Sequence, residues 1–81
     1  MLAEDLVIEV ITDLLDMSDP PLVAGTPLAS VEGWDSVNAL RVLVYLERET
    51  GQPLDYEQFA EAATIGDIAA VVDRSGAQVR R

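Results

Sequence analysis

Ser36 is the residue whose type and setting best suit covalent chemistry. It lies in Gly33-Trp34-Asp35-Ser36-Val37, after a loop bearing Pro and Gly and directly ahead of a strong helical pattern. A serine hydroxyl acts as a nucleophile only when a neighbouring group activates it. The chain contains no His, Cys or Lys to do so. Asp35 is a weak base beside an unactivated hydroxyl, and no oxyanion-hole motif accompanies the pair. An autonomous enzyme therefore finds no support. Two readings of Ser36 remain. Ser is common at helix starts, so Ser36 can simply open the helix. Alternatively, another enzyme modifies the hydroxyl, and the protein carries cargo instead of catalysing.

Other chemistries fare worse. Without His or Cys, disulfides and nearly all transition-metal sites are lost. Asp13, Asp16 and Asp19 recur every third residue, unlike the alternating ligands plus Gly of a calcium loop. No metal site is expected. No Gly-rich run precedes a Lys, so there is no phosphate cradle of that kind. The aromatics Trp34, Tyr45, Tyr56 and Phe59 read as packing residues.

The net charge is −10, and residues 1–40 carry carboxylates but no Lys or Arg. All five bases are Arg, at positions 41, 48, 74, 80 and 81. Such a surface repels nucleic acid and anionic membranes. It favours a partner with a basic patch, or it simply keeps a small domain soluble. No apolar run approaches the roughly 18 residues of a membrane span. The N-terminus lacks a basic signal-peptide region. These features predict a cytoplasmic protein that binds neither nucleic acid nor membrane.

With 81 residues the chain has room for one small core, and its periodicity is helical. Leu6, Val7, Val10, Ile11, Leu14 and Leu15 form a stripe that predicts a helix over 2–16, stopping before Pro20-Pro21. Glu9, Asp13 and Asp16 fall outside the stripe. Residues 17–34 form a long connection, with Leu22, Val23, Leu28, Val31 and Trp34 as apolar anchors. A second helix over 36–50 is predicted, capped by Asp35 and ended by Gly51. Its apolar face is read as Leu40, Leu43, Val44 and Leu46, with Val37 near its start and Glu47, Arg48 and Glu49 on the wet side. A short third helix spans 56–62, with Asp55 as its cap and Leu54 and Phe59 as a hydrophobic staple. A fourth spans 65–74, opened by a Thr64–Asp67 capping box, with Ile65, Ile68, Val71 and Val72 inward. The sum is an all-α four-helix bundle, three main helices and one short one, with a long loop between the first two. Residues 76–81 read as a disordered tail beyond a domain at 1–75.

Gly33-Trp34-Asp35-Ser36-Val37 at a helix entrance resembles the Asp-Ser-Leu signature of acyl carrier proteins. The resemblance extends through the Gly-Gln-Pro-Leu break at 51–54 and the Thr-Ile-Gly-Asp-Ile start at 64–68, and covers about residues 3–74. It implies that Ser36 is the attachment point of a covalent 4′-phosphopantetheine arm, placed by a phosphopantetheinyl transferase from coenzyme A. The arm's thiol would hold cargo as a thioester for cargo-loading and cargo-modifying enzymes. Asp35 would cap the helix and contact the transferase. Leu46, Phe59 and Ile68 would line any space into which cargo folds back. The expected state is a monomer. The chain begins at Met1 and reads as free-standing.

Two departures from the family pattern stand out. Val37 replaces the usual Leu. Asn38, Arg41 and Arg48 make the second helix less acidic than in a fatty-acid carrier, and with Val37 they are the expected partner-binding residues. Arg suits interfaces through its fork geometry and weak hydration. This favours polyketide or related specialised biosynthesis. A peptidyl carrier of a nonribosomal pathway and a non-covalent acidic interaction domain are the alternatives.

Overall fold

The computed structural model describes residues 3–16 and 21–74. Four α-helices follow in order: α1 (Ala3–Leu15), α2 (Ser36–Thr50), α3 (Tyr56–Glu61) and α4 (Ile65–Arg74). The loop before α2 contains a short 3-10 turn, Leu28–Ser30. The expected all-α bundle is thus the observed one. Asp19, Pro20 and the tail at 76–81 lie outside the described residues.

The first helix buries Ala3, Leu6, Val7, Val10 and Ile11, and half-buries Leu14 and Leu15 against the same core. It packs on both α2 and α4, while α3 leans on α4. Leu46, Ile65 and Ile68 are fully enclosed with Leu6 and Ile11. Each such side chain contributes about 1.5–3 kcal/mol relative to exposure. The helix ends one residue earlier than its stripe predicts, where Asp16 takes a left-handed φ of 53°.

Local caps delimit the other helices. Gln58 N donates to Asp55 Oδ1 at 3.2 Å. Gly51 closes α2 in the left-handed conformation. Leu54 and Phe59, the expected staple, are both buried. At α4, Asp67 N donates to Thr64 Oγ1, and Asp67 Oδ2 accepts from both Thr64 N and Ala63 N, at 3.0–3.1 Å. The N–H bonds from Ala63 and Thr64 hold the Asp67 carboxyl below its ordinary pKa. Ile65, Ile68, Val71 and Val72 all face inward, joined by Ala69.

Several expectations need correction. The buried face of α2 is Val42, Leu43, Leu46 and Thr50. Val37, Leu40 and Val44 are instead exposed, at 65%, 46% and 48%. Two apolar stripes run along this helix, and periodicity alone does not say which one meets the core. Glu47 and Glu49 are half-buried, not on the wet side. Glu47 Oε2 accepts from Leu54 N at 2.9 Å and so ties α2 to the break that follows it. Glu9 is also half-buried. Val23 is no anchor, being 57% exposed, whereas Leu28 and Val31 are buried and Leu22 and Trp34 pack against the core. Tyr45 and Tyr56 are exposed, and only Trp34 and Phe59 serve as packing aromatics. The third helix ends at Glu61, with Ala62 as its cap.

The long connection is fastened to the start of α4. Leu28 N donates to Ala63 O, Ile65 N to Thr26 O and Gly66 N to Ala24 O, at 2.9, 3.1 and 2.7 Å. Pro27 and Thr64 form an isolated antiparallel bridge within this clasp. A Cβ at Gly66 would stand 3.1 Å from the Ala24 carbonyl oxygen, so glycine permits the close approach.

Candidate functional site at the entrance of helix α2

The clasped loop delivers Gly33-Trp34-Asp35 to the start of α2. Gly33 has φ +85°, a conformation that costs glycine little. Trp34 N donates to Val31 O at 3.1 Å, closing the turn. Trp34 also packs on Phe59, with ring centroids 6.5 Å apart at 44°. Asp35 is extended, and its Oδ1 accepts from Asn38 N at 2.8 Å, as an N-cap should.

Ser36 is therefore the first helical residue and is exposed. Its hydroxyl has no hydrogen-bond partner among the described residues. The backbone N–H groups of a first helical turn lack intrahelical acceptors and favour a nearby anion. The Asp35 carboxylate, which would oppose an anion, is turned to the Asn38 N–H. Beside Ser36 lies a cleft of about 270 Å³ between α2 and α3, walled by Trp34, Ala39, Leu40, Tyr56 and Phe59. An exposed hydroxyl, free N–H donors and an adjoining apolar cleft suit an attached phosphate ester with an extended organic arm. Of Leu46, Phe59 and Ile68, only Phe59 lines this cleft; the other two are enclosed in the core.

The other residues singled out in the sequence divide into two groups. Val37, Arg41 and Arg48 are exposed on the outer side of α2. Val37 and Arg41 form a shallow groove there with Leu40, Val44 and Tyr45. The Arg48 guanidinium lies 5.7 Å from the Tyr45 ring centroid. Asn38 is half-buried, and its side chain is engaged within the protein. The surface placement of Leu40, Val44, Tyr45 and Tyr56 does not follow from their hydrophobicity. The available signal was the 37–40–44 spacing with Arg at 41 and 48 along the same side.

Residues 5–72 match the family described as "Phosphopantetheine attachment site". No curated protein matches the chain. Among solved structures, the solution structure of the holo acyl carrier protein from Geobacter metallireducens is similar, with a TM-score of 0.78 and 21% identity. The match covers 93% of this chain and 86% of that one, and it shows the shared fold. The chain belongs to this phosphopantetheine attachment family, whose domains serve as carriers with a covalently attached 4′-phosphopantetheine, not as enzymes. Carriers of this kind act with a phosphopantetheinyl transferase and with partner enzymes. No described helix is long and apolar enough to cross a membrane.

Proposed function

We propose that Ser36 is the residue that bears the 4′-phosphopantetheine, and that the protein holds an acyl intermediate in polyketide or related specialised biosynthesis. The observation that carries this reading is the exposed, unpartnered Ser36 hydroxyl at the first position of α2, inside the matched family region. In loading, the Ser36 Oγ forms a bond to phosphorus as the P–O bond within the diphosphate of coenzyme A breaks. Adenosine bisphosphate leaves, and the hydroxyl proton passes to the transferase. Once attached, the arm supplies a thiol that holds acyl cargo as a thioester. Asp35 keeps the helix start in place and contacts the transferase.

Partners dock on the outer side of α2 through Val37, Arg41 and Arg48, with Asn38 behind Arg41. Two cations set in an apolar stripe fit a partner that offers an apolar groove and carboxylates. They oppose the purely basic patch that the net charge alone would favour. This supports a dedicated carrier over a general fatty-acid carrier. The same reading has the domain acting as a cytoplasmic monomer. A dimer in sedimentation equilibrium would revise the oligomeric part, and secretion of a tagged full-length chain would revise the location.

The test is intact-protein mass after incubation with coenzyme A, magnesium and a broad-specificity phosphopantetheinyl transferase. One phosphopantetheine is gained by the wild type and none by Ser36→Ala. Retention of the gain in Ser36→Ala would move the site elsewhere. The mass of the protein isolated from its producing cells then reads the cargo. An acyl increment supports the assignment, and an aminoacyl increment replaces it with a peptidyl carrier.

A further inference from the structure

Asn38 touches the Ser36 turn from both sides. Its backbone N–H donates to Asp35 Oδ1 at 2.8 Å, and its Nδ2 reaches back to the Gly33 carbonyl at 2.7 Å. Its Oδ1 accepts from Arg41 Nη1 at 3.3 Å. Chemistry fixes the orientation of this amide. Turned over, its oxygen would face the Gly33 carbonyl oxygen and its NH₂ would face the guanidinium, two repulsive pairings. The bond to Gly33 is the shorter of the two side-chain bonds, and it fastens the one residue of this turn with a positive φ. The backbone cap at Asp35 persists whatever the side chain at 38. The hold on Gly33 depends on a side-chain donor.

We propose that Asn38 is a positioning residue for arm transfer: its Nδ2 latches the Gly33 carbonyl and so fixes the peptide units that aim the Ser36 hydroxyl. The inference rests on Ser36 being the attachment residue. It gives Asn38 a role distinct from partner contact and explains why an amide suits this site. An Asp side chain of the same shape still accepts from Arg41 but presents an oxygen to the Gly33 carbonyl. Removing the latch keeps the exposed docking side chains Val37, Arg41 and Arg48 in place and lets the hydroxyl stray from its line of attack. Small misplacements of a reacting group are costly in rate.

The experiment follows loading of full-length protein by intact mass, with coenzyme A and a phosphopantetheinyl transferase, across a range of carrier concentrations. In Asn38→Asp and Asn38→Ala alike, kcat falls about tenfold. KM stays within about twofold, because the loss is confined to the reacting step. Equal losses in the two variants assign the effect to Gly33, since only Asp keeps an acceptor for Arg41. A rise in KM with unchanged kcat, or no kinetic change, overturns the proposal; the first result makes Asn38 a direct transferase contact. A second measurement needs no variant. In the wild type, the Asn38 side-chain amide protons exchange more slowly than those of exposed Gln52, and equal rates overturn the latch. A wild type that takes no arm at all overturns the Ser36 assignment instead, whatever the exchange result.

Discussion

Helix α2 turns Val42, Leu43 and Leu46 toward the core and Val37, Leu40 and Val44 toward solvent. Both sides are apolar, yet only one is used in folding. The one fully buried polar residue of the inner side is Thr50, whose hydroxyl donates to the Leu46 carbonyl at 2.9 Å and is thereby satisfied without water. On the outer side Arg41 and Arg48 sit among the apolar residues and keep them soluble. Each of these partly exposed apolar side chains forgoes a share of the roughly 1.5–3 kcal/mol that full burial supplies. A contiguous exposed apolar patch is a marker of contact with other molecules. The comparison teaches that hydrophobicity selects the helix, while packing against α1 decides which apolar side becomes the core and the interleaved arginines keep the other side soluble.

Substitutions on the two sides should separate stability from turnover. The largest effect is expected for Leu46→Ala, which opens a cavity in the enclosed core and destabilises the fold by about 2–5 kcal/mol. Urea unfolding measures it, and a loss far below that range would mean that the inner side is not the core. Asp35→Ala comes next, removing the N-cap of α2 at a cost of about 1 kcal/mol. Its thermal midpoint should fall while the helical circular dichroism of the folded state persists. Val44→Ser, on the outer side, should shift stability by no more than about 0.5 kcal/mol. It should nonetheless lower kcat/KM for a partner enzyme, and unchanged kinetics would remove Val44 from the docking side. Arg41→Glu should be the mildest for the fold, again within about 0.5 kcal/mol. Its signature is altered partner turnover at constant thermal midpoint. A large stability loss with normal turnover would give Arg41 a structural role.

The features legible in the sequence were those set by neighbours along the chain. Asp35, Asp55, Gly51 and the Thr64–Asp67 pair each act within a few residues, so their capping roles follow from spacing. The placing of Ser36 at the first position of α2 was legible for the same reason. What escaped depends on distant packing. The side of α2 that meets the core is decided by where α1 lies, and the cleft beside Ser36 exists only because α3 stands opposite. Glu47 looked like a surface acid because its partner, Leu54 N, follows a chain reversal. Asn38 looked like a surface polar residue because its partner is a backbone carbonyl on the far side of the turn. Hydrophobicity alone makes Val23 an anchor, but its side chain is exposed on the loop.

The clasp between the loop and the start of α4 has a consequence for how the molecule opens. Leu28 N, Ile65 N and Gly66 N belong to stretches far apart in sequence, yet each donates across the same seam. None of these bonds can yield without parting the loop from the segment that leads into α4. Amides broken by one cooperative opening share one protection free energy against deuterium. Residues distant along the chain should therefore keep a common clock, and the peptide carrying Ser36 is moored beside it.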